Sequence, residues 1–322
     1  MSARLGADPM IVQGGGGNAS VKSDDVLWVK ASGTWLAHAQ TEPVFVPVRL
    51  SGVRAGVAAG AADPVQPHVL PLPPGMAALR PSIETTLHAL LPHRVVAHVH
   101  SINALAAAVR TDGPAIARER LDGLDWAFLP YARPGLCLTE AVAALGPRYP
   151  DVLLLGSHGL VVGADDCAAA EARIRDVEAR LRVRARACSS ADPARLRALA
   201  ATHGLALPED PRLHALAIDP VACERAVRGV LFPDQVVFLG PRLALIGDDT
   251  IDSPCRLVPG QGVLVDRALT SGQAQLLLCL ALLHARLPAG TSLAWLPDDE
   301  VAALLGWEAE RYRKALDAAR RG

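Results

Sequence analysis

Short apolar runs alternate with helix-like patterns through the first part of the chain. The runs at 95–99 and 152–155 are continuous and rich in valine and leucine, which predicts strands buried on both faces. Residues 21–29 are predicted to form two strands joined by a turn at 22–25, and a further strand is predicted at 160–162. Helices are predicted at 81–91, at 103–110 and from Asp166 to about residue 187. This alternation predicts an α/β fold.

Segments rich in helix and strand breakers, near 189–193 and 207–211, divide the chain. We therefore expect two domains, over residues 1–205 and 206–322. The alanine-, glycine- and proline-rich residues 52–75 are expected to form a mobile surface excursion. In the second domain the pattern predicts strands at 235–239, 243–246 and 257–265, a helix at 271–285 and a pair of helices from 298 to 320. The second domain is thus expected to be a smaller α/β unit.

The composition excludes several classes of function. With 322 residues, 51% of them hydrophobic, the chain can bury a large core, and its net charge of −1 gives no attraction to nucleic acid or to an anionic membrane. The longest apolar segment, 276–283, is too short to span a bilayer, and residues 1–13 do not resemble a signal peptide. The six cysteines form no C-x-x-C pair, which indicates small core residues in a reducing cytoplasm.

Three histidines and a glutamate stand at the ends of apolar runs. His98 and His100 are separated by one residue at a predicted strand end, and since alternate strand side chains share a face, both imidazoles can reach one ion. His158 follows another strand, and Glu84 lies on a predicted helix one turn before His88. Catalytic zinc sites hold the metal with three protein ligands and leave one position open. On spacing alone, strand-capping histidines and a solvated Glu84–His88 pair stay open as the other interpretation.

A run of four glycines, 14–17, leads through Asn18 directly into a strand, as a backbone nest that binds an anion would. The loop is not a P-loop, because no Lys-Ser or Lys-Thr pair follows it, and it lacks the helix and later acidic residue of a dinucleotide site. Ser32, Gly33 and Ser82 add hydroxyl and N–H groups. A small phosphate site is one interpretation, and plain flexible loops are the other.

Taken in order, these motifs resemble a known family. Gly-Gly-Asn-x-Ser, Lys-Ala-Ser-Gly-Thr, Pro-Ser-x-Glu with a histidine four residues later, His-x-His and His-Gly-Leu follow one another as in the class II aldolase/adducin family, over about residues 10–190. The family includes fuculose- and rhamnulose-phosphate aldolases, ribulose-phosphate 4-epimerase, decarboxylases, dehydratases and the non-catalytic adducin head. The resemblance implies a three-layer α/β/α sandwich with a central, mostly antiparallel sheet.

The resemblance also implies roles for individual residues. His98, His100 and His158 would bind Zn²⁺ or another divalent metal, and Glu84 would act as acid/base beside it. The residues implied to hold a substrate phosphate are Gly17, Asn18, Ser32, Gly33 and Ser82. The implied activity is that of a metal-dependent lyase, an aldolase, which cleaves a carbon–carbon bond in a small sugar phosphate or related hydroxy-acid through an enediolate. Epimerase, decarboxylase or dehydratase chemistry and an adducin-like assembly role are the alternatives.

Lysine is scarce, which argues against an aldolase that uses a Schiff base. Lys22, Lys30 and Lys314 are the three in the chain. Lys22 and Lys30 flank the glycine loop and the Ser-Gly-Thr loop, where we expect them to contribute positive charge. The expected partners are a small-molecule substrate and further copies of the chain, in a homo-oligomer such as a tetramer.

The chain departs from the aldolases of this family in three places. The tyrosine that they supply as proton donor has no counterpart in residues 115–119, so Tyr131 is the nearest candidate, with a structural tyrosine in a turn as the equal alternative. Ile83 replaces a serine of the phosphate loop, so the substrate anion could be a carboxylate. The C-terminal unit is an addition, and residues 307–313 within it predict an amphipathic helix. We interpret this helix as packed on its own domain rather than as a lid or subunit contact over the metal site.

Overall fold

A seven-stranded sheet forms the centre of the N-terminal part in the computed structural model, which describes residues 1–72, 79–146 and 148–319. Its strands are, in chain order, β1 (Asn18–Ser23), β2 (Val26–Lys30), β3 (Phe45–Arg49), β4 (Val95–Val99), β5 (Trp126–Leu129), β6 (Val152–Leu155) and β7 (Gly159–Ala164). The order in space is β3-β2-β1-β4-β7-β6-β5. Neighbouring strands are antiparallel, except for the parallel pair β5 and β6.

Helices cover both faces of this sheet. They are α1 (Ser2–Gly6), α2 (Leu50–Ala58), α3 (Thr85–Leu90), α4 (Ile102–Ala108), α5 (Gly113–Arg120), α6 (Leu136–Ala143) and α7 (Cys167–Arg180). Alternate residues of β4 face opposite layers. Ala97 and Val99 join a core cluster with α4, α5 and α7, whereas Val96 joins a cluster with α3 and α6. The expected three-layer sandwich with a mostly antiparallel sheet is confirmed.

The C-terminal part adds a three-stranded sheet of β8 (Ala244–Leu245), β9 (Cys255–Val258) and β10 (Gly262–Val265). Its helices are α8 (Pro193–His203), α9 (Ala215–Ile218), α10 (Pro220–Arg228), α11 (Pro233–Leu239), α12 (Ser271–His284), α13 (Asp298–Gly306) and α14 (Glu308–Ala319). Ile102 and Leu105 of α4 belong to the same core cluster as Leu276 and Leu280 of α12, so the two parts share a buried apolar surface. The additional α/β region is confirmed, and its boundary at residue 205 stays a prediction.

The secondary structure differs from the predictions at several points. The helix predicted at 81–91 spans only Thr85–Leu90, so Glu84 immediately precedes it instead of lying within it. Residues 235–239 lie in helix α11 rather than in a strand, because α11 is buried on all sides and a continuous apolar run hides the helical period. The run 257–265 contains two strands, β9 and β10, joined by a turn with Gly260 at φ +71°. Helix α7 begins after Asp166, whose side chain caps it as predicted, but it ends at Arg180.

The expected excursion at 52–75 is partly regular. Its first residues lie in α2, which buries Val53 in a cluster with β2 and β3. Residues 73–75 lie outside the described part of the chain, as does residue 320 of the predicted terminal helices. Among the described helices, none combines the length and the apolar character that a bilayer-spanning helix requires.

The cysteines divide into two sets. The buried ones are Cys223, Cys255 and Cys279. The exposed ones are Cys137, Cys167 and Cys188. The prediction of core cysteines is therefore wrong for the exposed set, because small size and moderate polarity allow cysteine on a surface as well.

Lys22 lies in β1 with its ammonium group buried. The Nζ atom donates a hydrogen bond of 2.7 Å to the carbonyl oxygen of His93, and the residue is 8% exposed. Burial, with a smaller contribution from the charge of Arg54, lowers the pKa of Lys22 to about 7.

We expect Lys22→Met to change how stability depends on pH. In the wild type the folded state releases the Lys22 proton near pH 7, whereas the unfolded chain keeps it to about pH 10.5. The free energy of unfolding should therefore rise between these values, by up to about 1.4 kcal/mol per pH unit, and the variant should lack this rise. Urea unfolding at several pH values measures the slope, with exposed Lys314→Met as the control. Equal slopes in the wild type and Lys22→Met would contradict the expectation.

Candidate metal centre

Three strand ends meet at one edge of the seven-stranded sheet. β4 pairs in antiparallel fashion with β1 on one side, where Asn18 stands opposite His98, and with β7 on the other. The start of β1, the end of β4 and the start of β7 therefore lie side by side. His100 follows the end of β4, and His158 immediately precedes β7. The register of the sheet thus gathers residues that are far apart in the sequence.

His98, His100 and His158 form a buried cluster. One ring nitrogen of each lies within 4.8 Å of the others, and the Nε2 atoms of His98 and His100 are 3.1 Å apart. Nδ1 of His98 is 3.2 Å from the carbonyl oxygen of Leu160, which places the proton on Nδ1 and the lone pair on Nε2. Burial lowers the pKa of His98 to about 3, although the negative charge of Glu84 acts in the opposite direction. Burial also lowers the pKa of His158. The neutral imidazole is the form that binds a metal.

Glu84 stands immediately before α3 and turns its carboxylate toward the histidines. Oε2 accepts a hydrogen bond of 2.6 Å from Asn18 Nδ2 and lies 3.6 Å from Nε2 of His98. Oε1 lies 3.6 Å from Nε2 of His158 and has no hydrogen-bond partner among the described residues. Burial alone would raise the pKa of Glu84, but the attraction of His98 and His158 and the hydrogen bond from Asn18 outweigh it and lower the pKa to about 2. Glu84 is therefore ionised at neutral pH.

Asn18 connects Glu84 to a fourth buried histidine. Nδ2 of Asn18 donates to Glu84 and also to Oγ of Ser82, at 3.2 Å. Oδ1 of Asn18 accepts from Nε2 of His88, whose Nδ1 lies 2.7 Å from Oγ of Ser20. Burial lowers the pKa of His88 to about 3 and keeps the ring neutral. The amide of Asn18 is thus used inside the protein, where it positions the Glu84 carboxylate. This replaces the solvated Glu84–His88 pair that the spacing left open.

A cavity of about 40 Å³ lies beside the cluster, and Glu84 and the three histidines line it. All of the residues that the resemblance assigned to a phosphate line it as well, namely Gly17, Asn18, Ser32, Gly33 and Ser82. The backbone N–H of Ser82 donates to the carbonyl oxygen of Lys30 at 3.0 Å, which holds the two loops together. Lys30 also lines the cavity, whereas Lys22 is not among its described lining residues.

Two residues of the C-terminal part line the same cavity. Asp234 lies in the first turn of α11, and its Oδ2 is 3.3 Å from Nδ1 of His100. Arg313 of α14 donates from Nη1 to Oδ1 of Asp234 at 2.8 Å. Burial alone would raise the pKa of Asp234. Arg313 and His100 outweigh burial and hold this pKa well below its usual range. The sequence analysis missed both residues, and the one signal near them was the amphipathic pattern at 307–313.

Helix α14 packs against both parts of the chain. Leu316 lies so close to Gly33 that a Cβ atom on Gly33 would stand 2.6 Å from its Cδ1. The guanidinium of Arg80 lies 4.4 Å from the ring centroid of Tyr312. On the other side, Asp317 accepts a hydrogen bond of 3.0 Å from the backbone of α12. The interpretation that we favoured, a helix packed on its own domain, is incomplete, since α14 also covers the rim of the cavity.

Comparison with known proteins agrees with this arrangement. A sequence model described as "Class II Aldolase and Adducin N-terminal domain" matches residues 2–185, which is more than half of the chain's 322 residues. The chain belongs to this family.

Individual relatives resemble the aldolase-like part. The uncharacterized oxidoreductase YuxG of Bacillus subtilis (strain 168) is 32% identical over 171 residues, which make up 49% of this chain and 24% of that protein. The N-terminal class II aldolase domain of a conserved protein from Thermoplasma acidophilum is 29% identical, with 56% of this chain and 88% of that chain covered and a TM-score of 0.47. L-fuculose-1-phosphate aldolase from Thermus thermophilus is 18% identical, with 63% and 94% covered and a TM-score of 0.38.

The donor set of this class II aldolase-like domain fits a divalent ion. Neutral imidazole nitrogens and an ionised carboxylate are the ligand types that Zn²⁺ accepts, and three protein nitrogens leave a position for substrate. The buried Oε1 of Glu84 has no hydrogen-bond partner among the described residues and faces Nε2 of His158. Unbalanced negative charge thus stands where the nitrogen lone pairs converge, which is the pattern of a centre that holds a cation.

Tyr131, the expected proton donor, is absent from the described residues that line the cavity. Its hydroxyl donates a hydrogen bond of 2.8 Å to Oε1 of Glu300, which also binds Arg133. Burial and the hydrogen bond to Glu300 raise the pKa of Tyr131. Within one chain these contacts give Tyr131 a structural role. Its catalytic role and the homo-oligomer stay predictions.

We expect Gly159→Ala to weaken metal binding, because Gly159 gives the histidine rings their space. A Cβ atom there would stand 2.7 Å from the carbonyl oxygen of Val99 and 3.2 Å from the ring of His98. Displaced rings should lower the affinity for Zn²⁺ by about 10-fold or more, measured by competition with a chromophoric chelator. The control is Gly306→Ala, where a Cβ atom would meet nothing within 4 Å. Unchanged affinity in Gly159→Ala would show that these rings do not form the metal site.

Proposed function

We propose that this chain is a metal-dependent lyase that cleaves a carbon–carbon bond in a small sugar phosphate or a related hydroxy-acid. The observation that carries the proposal is the convergence of three histidines on a buried, ionised Glu84, beside a cavity with hydroxyl and N–H donors. Membership of the class II aldolase and adducin family supports it.

In the proposal, His98, His100 and His158 hold Zn²⁺ or another divalent ion through one ring nitrogen each. When bound, the ion supplies positive charge that stabilises negative charge developing next to a substrate carbonyl. The chain's own residues prepare this site. The carbonyl oxygen of Leu160 sets the tautomer of His98, and burial lowers the pKa of both His98 and His158, which favours their neutral rings.

Glu84 is the proposed acid/base. Aldol cleavage breaks the bond between the carbon next to a ketone carbonyl and a carbon that bears a hydroxyl group. The hydroxyl loses its proton and becomes an aldehyde, while the other fragment gains a proton at the carbon that carried the bond. The Oε1 atom of Glu84 has no hydrogen-bond partner among the described residues, so it can exchange a proton there. Asn18 holds the other oxygen and fixes the direction of the carboxylate.

The anionic end of the substrate is proposed to lie against the Ser32 and Ser82 loops. Gly17 and Gly33 have φ values of +63° and +73°, which let the backbone N–H groups approach a ligand without a Cβ atom in the way. The buried ammonium of Lys30 adds positive charge to this wall. A phosphate or a carboxylate satisfies such donors, and the apolar Ile83 in the same wall limits how many oxygens are contacted.

We expect His98→Ala to lose bound metal, because a three-nitrogen site that loses one ligand and its ring packing cannot hold the ion tightly. Elemental analysis of the purified protein should give about one divalent ion per wild-type chain and far less for the variant. The control is His203→Ala, at an exposed histidine in α8. Full occupancy in His98→Ala would overturn the metal assignment, and a wild type without stoichiometric metal would favour an adducin-like role.

We expect Glu84→Gln, assayed at saturating metal, to lose activity by about 100-fold or more, since the amide occupies the same space but cannot take up a proton. The assay uses a panel of ketose 1-phosphates and hydroxy-acids and identifies the products by mass. Two carbonyl fragments from one substrate support the lyase. An epimer, carbon dioxide or a dehydrated product instead would assign the site to one of the other chemistries of this scaffold.

A further inference from the structure

Asp234 lies directly behind one of the three clustered histidines. Nε2 of His100 faces the cluster, 3.1 Å from Nε2 of His98, so its Nδ1 points away toward the C-terminal part. Oδ2 of Asp234 lies 3.3 Å from that Nδ1. The Asp234 side chain is 5% exposed, and its Oδ2 makes no hydrogen bond with the described residues, so the approach to His100 is its close polar contact. A buried carboxylate oxygen is thus directed at the outer nitrogen of a clustered histidine.

The glycine loop leaves room for this contact. A Cβ atom on Gly16 would stand 2.9 Å from Nδ1 of His100 and 3.0 Å from Oδ2 of Asp234. Any side chain at this position would press on both partners at once. The small space at position 16 therefore follows from the His100–Asp234 contact together with the carbonyl oxygen of Gln13, which would stand 3.0 Å from the same Cβ atom, independently of any anion that the loop binds.

Arg313 fixes the other oxygen of Asp234. Its Nη1 donates to Oδ1 at 2.8 Å, and its guanidinium lies 5.4 Å from the ring centroid of Phe238 on the same helix as Asp234. The Arg313 side chain is 11% exposed, so the ion pair is shielded from water. Two helices of the C-terminal part, α11 and α14, thereby hold one carboxylate against a residue of the N-terminal sheet edge.

We propose that Asp234 is a positioning residue for the metal centre. It accepts the Nδ1 proton of His100, which leaves the lone pair on Nε2 and fixes the orientation of the ring. Such a partner also raises the basicity of a metal-ligating imidazole. In this way the C-terminal part, which lies beyond the family-matched residues 2–185, completes the metal centre within the same chain. The inference rests on the proposed metal site.

The test measures metal binding directly and needs no substrate. Zn²⁺ affinity is determined by competition with a chromophoric chelator, and the d–d absorption bands of the Co²⁺-loaded full-length protein report the geometry at the ion. Asp234→Asn should bind Zn²⁺ about 10- to 100-fold more weakly and shift the Co²⁺ bands. Asp234→Glu, which keeps a carboxylate, should recover part of the affinity. The control is Asp219→Asn, because Asp219 also begins a C-terminal helix and pairs with an arginine, Arg186.

The outcomes separate this inference from the proposed function. If Asp234→Asn and Asp234→Glu both bind Zn²⁺ within twofold of the wild type, with unchanged Co²⁺ bands, the inference is overturned while loss of metal in His98→Ala still supports the metal site. If His98→Ala keeps its metal, the proposed function fails first. An equal loss of affinity in Asp219→Asn would show general loosening of the C-terminal part and would also overturn the inference. If Asp234→Asn does not fold, as judged by circular dichroism, Asp234→Glu alone decides between these results.

Discussion

The antiparallel pairing of β4 between β1 and β7 is the constraint on which the candidate site depends. Alternate residues of β4 face opposite layers, and His98 shares its parity with Val96, which packs toward α3. Glu84 stands at the start of α3, so the carboxylate and the imidazole meet on the same face of the sheet. A register shift of one residue would turn His98 toward α4 and separate the two groups.

Burial of so many polar groups requires that each has a defined partner. Behind the Glu84 carboxylate, three buried side chains meet this requirement. Asn18, His88 and Ser20 form hydrogen bonds among themselves, and Asn18 also donates to one oxygen of Glu84. An oxygen left without a partner costs about 1–3 kcal/mol of folding free energy in a neutral group and more in an ionised one such as Glu84, whose Oε1 has no partner among the described residues. An ion that binds the folded state alone offsets such a cost, by about 2.7 kcal/mol at a concentration of 100 times its Kd. The proposed metal binding would thus be coupled to stability at this sheet edge.

Local patterns in the sequence predicted the site residues that lie in motifs, but not those that reach the site only through tertiary contacts between distant elements. The alternation of elements predicted the α/β class, whereas the three-layer sandwich and the metal-binding roles were predicted only through the resemblance that the order of the motifs carries. Residues 235–239 were misassigned because a fully buried helix shows no amphipathic period. Asp234 and Arg313 belong to no motif, and the pairing of two distant helices is a tertiary contact that no local pattern encodes. Lys22 and Lys30 look alike in the sequence and both are buried, and only their tertiary contacts separate the lysine bound to His93 from the one that lines the cavity.

The C-terminal part changes the physical surroundings of the site as well as its shape. Coulombic interactions strengthen as water is excluded, because the effective dielectric constant falls. Helix α14 brings Leu316 over Gly33 and Arg313 onto Asp234, so it covers the cavity rim with both apolar and charged groups. The paired charges of Arg313 and Asp234 nearly cancel within the cavity wall. The electrostatic character of the cavity therefore depends mainly on Glu84, beside the histidine cluster, and on Lys30, beside the loops of Ser32 and Ser82. Under the proposed function, a site divided in this way would take a substrate with a neutral, hydroxylated carbonyl end and an anionic end.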